Sequence, residues 1–332
     1  MNILVLGTGS WGTALASVLA KNGNNVLMWS RNSAQVDHLK KHSNNTTYHP
    51  NISLPSNIAY TSKHTFKEYF DIIVYACPSH AVNNILSKLE LNMNGQTIFV
   101  STAKGIDNTS LKTVSQSLVD LYGMDWLKNY FATLSGPSFA HDVIRQKPTA
   151  VTVATYNYDT AIKVQEAFHC PTFHTYRTDD VIGVELAGAL KNVIAIAAGV
   201  CDGLELGPSA RSALITRGLA EIIKIGLALG AKVETFSGLA GLGDLLLTCT
   251  SDLSRNRRVG KMIASGLSLR QTIKQLGQVA EGIRTTKSAY KLLNQHDIQS
   301  VIIKQIYLAI YEDKPLKDAL NTILYQDAEQ EI

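Results

Sequence analysis

An open, mostly parallel α/β sheet followed by an all-α domain is the fold class this sequence predicts, on three observations. Short β-branched runs alternate with amphipathic segments through the first half of the chain. A glycine-rich turn directly follows the first of those runs. After about residue 180 the apolar period changes to 3.6 and stays there. The domains are therefore expected at 1–180 and 181–332.

The runs at 3–6, 26–29, 72–76, 97–101, 131–134 and 150–154 are short, apolar and bounded by turn residues, so each reads as a buried strand. Helical patterns lie between several of them, such as 14–22, which Gly23 stops. Strands that alternate with helices imply parallel βαβ units. In the second half, helices are expected near 181–200, 209–229, 257–264, 268–276, 281–294, 299–311 and 316–324. Pro315 suits the first turn of the last, where its missing N–H costs nothing.

Composition narrows the class of function. A chain of 332 residues can bury two cores without disulfides or metals. Its 31 basic and 27 acidic side chains leave a net charge of +4, too even for a nucleic-acid surface. Cys77, Cys170, Cys201 and Cys249 are scattered with no CxxC pair, which points to a reducing compartment, the cytoplasm. His169, Cys170 and His174 lack a second partner pair, so no metal is expected. The N-terminus has no basic region or cleavage site, and is not read as a signal peptide. The longest apolar stretch, 193–201, is short of the ~18 residues of a membrane span, so none is expected.

Gly7-Thr8-Gly9-Ser10-Trp11-Gly12 matches GxGxxG, a weak signal alone. Here it follows a strand, opens a helix, and is succeeded by a second strand at the distance a dinucleotide-binding unit requires. Gly7 would allow the tight turn, Gly9 the close approach of a pyrophosphate, and Gly12 the packing of helix on strand. After the second strand comes Ser30-Arg31-Asn32, with no acidic residue for a ribose 2′-hydroxyl. Arg31 can pair with a 2′-phosphate, which favours NADP, although NAD and a solvated surface arginine stay open. Lys104 and Ser138 also stand just past strand ends, where open α/β sheets bind ligands.

Hydride transfer to a ketone leaves negative charge on oxygen, so such a site needs a proton donor. Lys191 lies within a small, apolar helical stretch, where it either snorkels to solvent or faces a cleft. Asp244 and Thr248, at i and i+4, share a helix face; the aspartate could position an ammonium group or simply cap the helix. Ser254-Arg255-Asn256-Arg257-Arg258 offers three guanidinium groups to a phosphate, with a solvated basic turn as the alternative.

These motifs, together with 101–106, 135–140, 185–192, 238–248 and Val279-Ala280-Glu281-Gly282, resemble the NAD(P)-dependent glycerol-3-phosphate dehydrogenases of bacterial type, in order from residue 3 to about 290. The resemblance implies reversible reduction of dihydroxyacetone phosphate to sn-glycerol 3-phosphate, a phospholipid precursor. It implies Lys191 as proton donor and acceptor, Asp244 as its orienter, and Lys104 as a second cation that touches substrate and cofactor. Gly136, Ser138, Ser254, Arg255 and Asn256 would hold the substrate. Gly7, Gly9, Ser10, Trp11, Gly12, Arg31, Ala140, Arg255, Val279 and Glu281 would line the dinucleotide, NADP or NAD. A homodimer is also implied.

Two other functions compete. A β-hydroxyacid dehydrogenase would pair a similar dinucleotide domain, helical domain and lysine with a carboxylate pocket in place of Ser254-Arg255-Asn256. A non-catalytic dinucleotide sensor would have no use for Lys104, Lys191 and Asp244 together.

Overall fold

The first apolar run forms β1 (Asn2–Leu6), whose side chains from Ile3 onward are fully buried. Such a strand must be covered on both faces and paired on both edges, and its neighbours are β2 (Asn25–Trp29) and β4 (Ile72–Tyr75), both parallel to it. The remaining strands are β3 (Ile58–Thr61), β5 (Ile98–Ser101), β6 (Phe131–Ser135), β7 (Thr149–Ala154) and β8 (Phe173–Thr178). Together they make one sheet in the order β3-β2-β1-β4-β5-β6-β7-β8. Strand order reverses between β1 and β4, the switch point at which open α/β sheets leave a crevice. The computed structural model describes residues 1–93, 95–277 and 280–325.

The expected strands are all present, but two more were invisible in the sequence pattern. Both are edge strands. In β8 the exposed His174, Tyr176 and Arg177 interrupt the buried positions, and in β3 Ala59 is exposed, so neither reads as an apolar run. A second correction concerns direction: β6 and β7 are antiparallel. The helix between them, α6 (Ala140–Ile144), spans about 7 Å against about 16 Å for β6, too short for the crossover a parallel return needs.

The sheet unit comprises Met1–Ala103 and Val114–Val181. Its other helices are α1 (Ser10–Lys21), α2 (Ser33–His42), α3 (Val82–Leu86), α4 (Val114–Tyr122), α5 (Met124–Tyr130) and α7 (Tyr158–Phe168). The second unit comprises Lys104–Thr113 and Ile182–Ile332. It contains α8 (Val181–Gly203), α9 (Gly207–Ala228), α10 (Val233–Ser237), α11 (Asp244–Thr250), α12 (Arg255–Ala264), α13 (Leu269–Leu276), α14 (Glu281–Gln295), α15 (Val301–Tyr311) and α16 (Leu316–Leu324). Its described residues form no strand.

Helix α8 is the axis of that core. At 23 residues it is long and apolar enough to cross a membrane, more than the short stretch 193–201 suggested, yet it is buried along nearly its whole length. Glycines let a neighbour come very close. A Cβ on Gly199 would lie 2.0 Å from the Arg257 carbonyl oxygen, and one on Gly260 would lie 2.1 Å from that of Ile196. No side chain fits there, so α8 and α12 pack backbone to backbone.

Candidate active site

Among the small apolar residues of α8, Lys191 is buried, at 5% exposure. Its Nζ donates to Asp244 Oδ1 at 2.5 Å and to Thr248 Oγ1 at 2.6 Å. Asp244 begins α11 just after a π-helical turn, Leu239–Gly243, and Thr248 follows one turn on, so one face of α11 receives the ammonium group. Lys104 donates to the other carboxylate oxygen, Asp244 Oδ2, at 2.6 Å. The Thr248 hydroxyl in turn donates to the Asp244 backbone oxygen at 2.6 Å. The third Lys191 proton has no partner among the described residues.

The electrostatics follow from burial and count. Burial pushes the Lys191 ammonium from its ordinary value down to about 8; Asp244 resists that fall and Lys104 adds to it. Burial would also raise the Asp244 carboxyl, but the Lys104 and Lys191 ammonium groups overcome this and hold it below the usual carboxylate range. Two cations share one anion here, so the cluster keeps a net positive charge suited to a developing oxyanion.

A second chain of contacts ties the elements together. Asn192, next to Lys191, donates to the Lys104 carbonyl at 3.4 Å and to that of Gly188 at 3.2 Å. Its Oδ1 accepts from Asn256 Nδ2 at 2.7 Å, and Asn256 Oδ1 accepts from the Gly282 N–H at 3.0 Å. A Cβ on Gly282 would stand 2.7 Å from both Asn192 O and Asn256 Oδ1, so only glycine fits. The sequence carried no sign of Asn192 in this role, because its partners are 64 and 88 residues away.

Ser254 caps α12, its Oγ accepting the Arg257 N–H at 3.2 Å. The expected trio of guanidinium groups is reduced. Arg257 is buried and committed to Asp202, at 2.6 Å, and to Asp252, at 2.5 Å, leaving Arg255 and Arg258 exposed. Glu281, at the first turn of α14, is pushed up to about 7 by burial, against the pull of Arg255 and Arg284. Val279 lies outside the described residues.

The remaining expected residues are in the sheet unit. Gly7 has φ +119°, and a Cβ there would meet the Ala76 oxygen at 2.9 Å. A Cβ on Gly12 would lie 2.1 Å from the Gly7 oxygen, whereas one on Gly9 would meet nothing within 4 Å. The turn is thus closed behind and open in front, where the first N–H groups of α1 project without a side-chain cap. That geometry fits a dinucleotide pyrophosphate. Ser10 and Trp11 are partly buried in the first turn of α1. Exposed Arg31 stands between the buried Ser30 and the exposed Asn32, which caps α2. Gly136 directly follows β6 with φ +150°, and its carbonyl accepts the Ser138 hydroxyl at 3.1 Å. Ala140 begins α6.

The chain resembles known proteins along its length. Residues 2–161 match the family model of the NAD-dependent glycerol-3-phosphate dehydrogenase N-terminus, and residues 180–321 match that of the C-terminus. A glycerol-3-phosphate dehydrogenase (NAD(P)+) of Syntrophotalea carbinolica is 43% identical over 333 residues, covering 100% of both chains. The crystal structure of glycerol-3-phosphate dehydrogenase from Coxiella burnetii superposes with a TM-score of 0.90 at 35% identity, covering 98% of this chain and 99% of that one. A D-mandelate dehydrogenase structure has a TM-score of 0.64 at 12% identity, covering 97% and 100%, a likeness of fold alone.

Proposed function

This chain belongs to the NAD-dependent glycerol-3-phosphate dehydrogenase family, and from that premise we infer that it reduces dihydroxyacetone phosphate to glycerol 3-phosphate, reversibly, with NAD(P)H. The observation that carries the reading is the cluster of half-buried Lys104 with buried Asp244 and Lys191, two cations on one carboxylate. Neither a β-hydroxyacid dehydrogenase nor a non-catalytic sensor is favoured.

The bound dinucleotide would supply the hydride to the substrate C2 carbon. Lys191 gives the C2 oxygen its proton, using the N–H that Asp244 and Thr248 leave free. An ammonium group with a pKa near 8 can release that proton near neutral pH and regain one from water. Asp244 fixes the direction of Lys191, and Lys104 keeps positive charge beside the oxygen. Ser254, Arg255 and Asn256 are assigned to the substrate phosphate, with Gly136 and Ser138 as further substrate contacts. Gly7, Gly9, Ser10, Trp11, Gly12, Arg31 and Ala140 are assigned to the dinucleotide; Lys104, Arg255 and Glu281 would touch it as well. Arg31 supports a preference for NADP over NAD.

The family resemblance supports a homodimer and a role in supplying phospholipid synthesis. Four free cysteines support a reducing compartment, the cytoplasm. The test is a single assay: oxidation of NADPH followed on addition of dihydroxyacetone phosphate, with a 3-hydroxy acid and NADP as the control. Turnover of the control alone would overturn the reading.

A further inference from the structure

The connection from α2 to β3, residues 43–57, is long and yet lies close to the glycine turn. Asn45 in it is buried and donates to the Thr8 carbonyl at 2.9 Å and to Thr13 Oγ1 at 2.8 Å. Four residues on, His49 is 2% exposed, and its Nε2 lies 2.8 Å from the Ser10 carbonyl oxygen and 3.3 Å from Ser10 Oγ. Long loops that pack their own side chains into a domain are commonly functional.

The tautomer can be deduced. A carbonyl oxygen only accepts, so Nε2 carries the hydrogen that joins it to Ser10 O. Burial lowers the pKa of His49 and outweighs the Ser10 carbonyl bond, which raises it; Arg145 and His141 of the α6 segment also act to lower it, so the ring is neutral near pH 7. With Nε2 already a donor, Ser10 Oγ can only accept from it. The Ser10 hydroxyl hydrogen is thereby turned away from His49 and kept for another acceptor. Its residue opens α1, whose N-cap, Gly9, supplies no side-chain bond and stands clear of any neighbour.

We propose that His49 is a positioning residue for the dinucleotide: it fixes the carbonyl of Ser10 and orients the Ser10 hydroxyl to donate to a pyrophosphate oxygen. This rests on reading Gly7–Gly12 as the dinucleotide turn. His49 itself touches no reacting atom. Its effect falls on the part common to NADPH and NADH, unlike that of Arg31.

The test is fluorescence titration of NADPH and NADH into wild type, His49→Leu, His49→Gln, Ser10→Ala and the double variant His49→Leu/Ser10→Ala, each checked by thermal melt. Loss of one neutral hydrogen bond predicts that His49→Leu weakens both dinucleotides equally, by roughly 3–10-fold. The loss should appear in Kd and in cofactor KM far more than in kcat at saturating cofactor. The glutamine amide can donate to the same carbonyl, so His49→Gln should recover most of the affinity. Because His49 acts partly through Ser10, the double variant should lose less than the product of the single losses. Unchanged affinity in a folded His49→Leu protein, or fully multiplicative losses in the double variant, would overturn the proposal. If the leucine variant does not fold, a glutamine variant that binds markedly worse than Ser10→Ala would do the same. A wild type that binds neither dinucleotide would instead refute the reading of the turn.

Discussion

Lys104 and Lys191 hold opposite oxygens of a single carboxylate, at 2.6 Å and 2.5 Å from Asp244. The buried Lys191 ammonium and the half-buried Lys104 ammonium share one anion and repel each other, which is one reason the buried one releases its proton easily.

Lys191→Ala should lower kcat by ~10²–10⁴-fold, the usual cost of removing a general acid, while NADPH still binds. Lys191→Arg should rescue poorly, since a guanidinium cannot give up its proton near neutral pH. Kinetics on folded variants, with NADPH titration alongside, check both. Near-normal turnover of the alanine variant would move the proton-transfer role to another group, with Lys104 the nearest.

The same lysine sets a pH dependence. Ketone reduction needs it protonated, so the reduction rate should hold below pH 8 and fall as pH rises through about 8. Alcohol oxidation needs it neutral and should rise over the same range. In Asp244→Asn the anion that resists the fall is gone, so both limbs should move to lower pH. Limbs that stay in place would show that another group titrates.

Arg31→Asp replaces attraction with repulsion at the site assigned to the 2′-phosphate. NADPH should weaken by ~10–150-fold, the range of a lost charge-assisted bond, while NADH changes little. An unchanged ratio of the two affinities would remove Arg31 from cofactor selection.

Arg255→Ala should raise KM for dihydroxyacetone phosphate strongly, because the phosphate loses a bidentate donor. Free dihydroxyacetone, without a phosphate, should be a very poor substrate and hardly respond to the change. Equal losses on both would assign Arg255 to the cofactor or the fold.

Gly260→Ala would place a methyl group 2.1 Å from the Ile196 oxygen and 2.7 Å from the Val200 nitrogen. Backbone cannot yield as a side chain can, so stability should drop by about 1–3 kcal/mol or more, read as a lower Tm. Because the Asn192–Asn256 bond spans the same helix pair, kcat should fall with it.

What the sequence made legible was local. Gly7–Gly12 after a buried strand, Lys191 in an apolar helix, and Asp244 with Thr248 at i and i+4 are signals within a few residues. What it hid was nonlocal. Arg257 looked like a third phosphate ligand, and only the fold brings it Asp202 from 55 residues away. The edge strands β3 and β8 lack the doubly covered environment that writes an unbroken apolar run. His49 belongs to a connection with no period to read, and the antiparallel turn of β7 depends on the length of α6, which boundaries in sequence do not fix.

The excursion Lys104–Thr113 bears on how this chain can be cut. The polypeptide passes from the sheet unit into the helical unit at Lys104, back at Val114, and in again at Ile182. Ile106 of that excursion is part of the helical core, and the half-buried Leu111 packs against it. A fragment beginning at Ile182 would therefore lack a piece of its own interior and would leave Asp244 with one cation instead of two. The halves are not interchangeable cassettes: grafting a foreign dinucleotide module onto this helical unit would succeed only if residues 104–113 travelled with the helices.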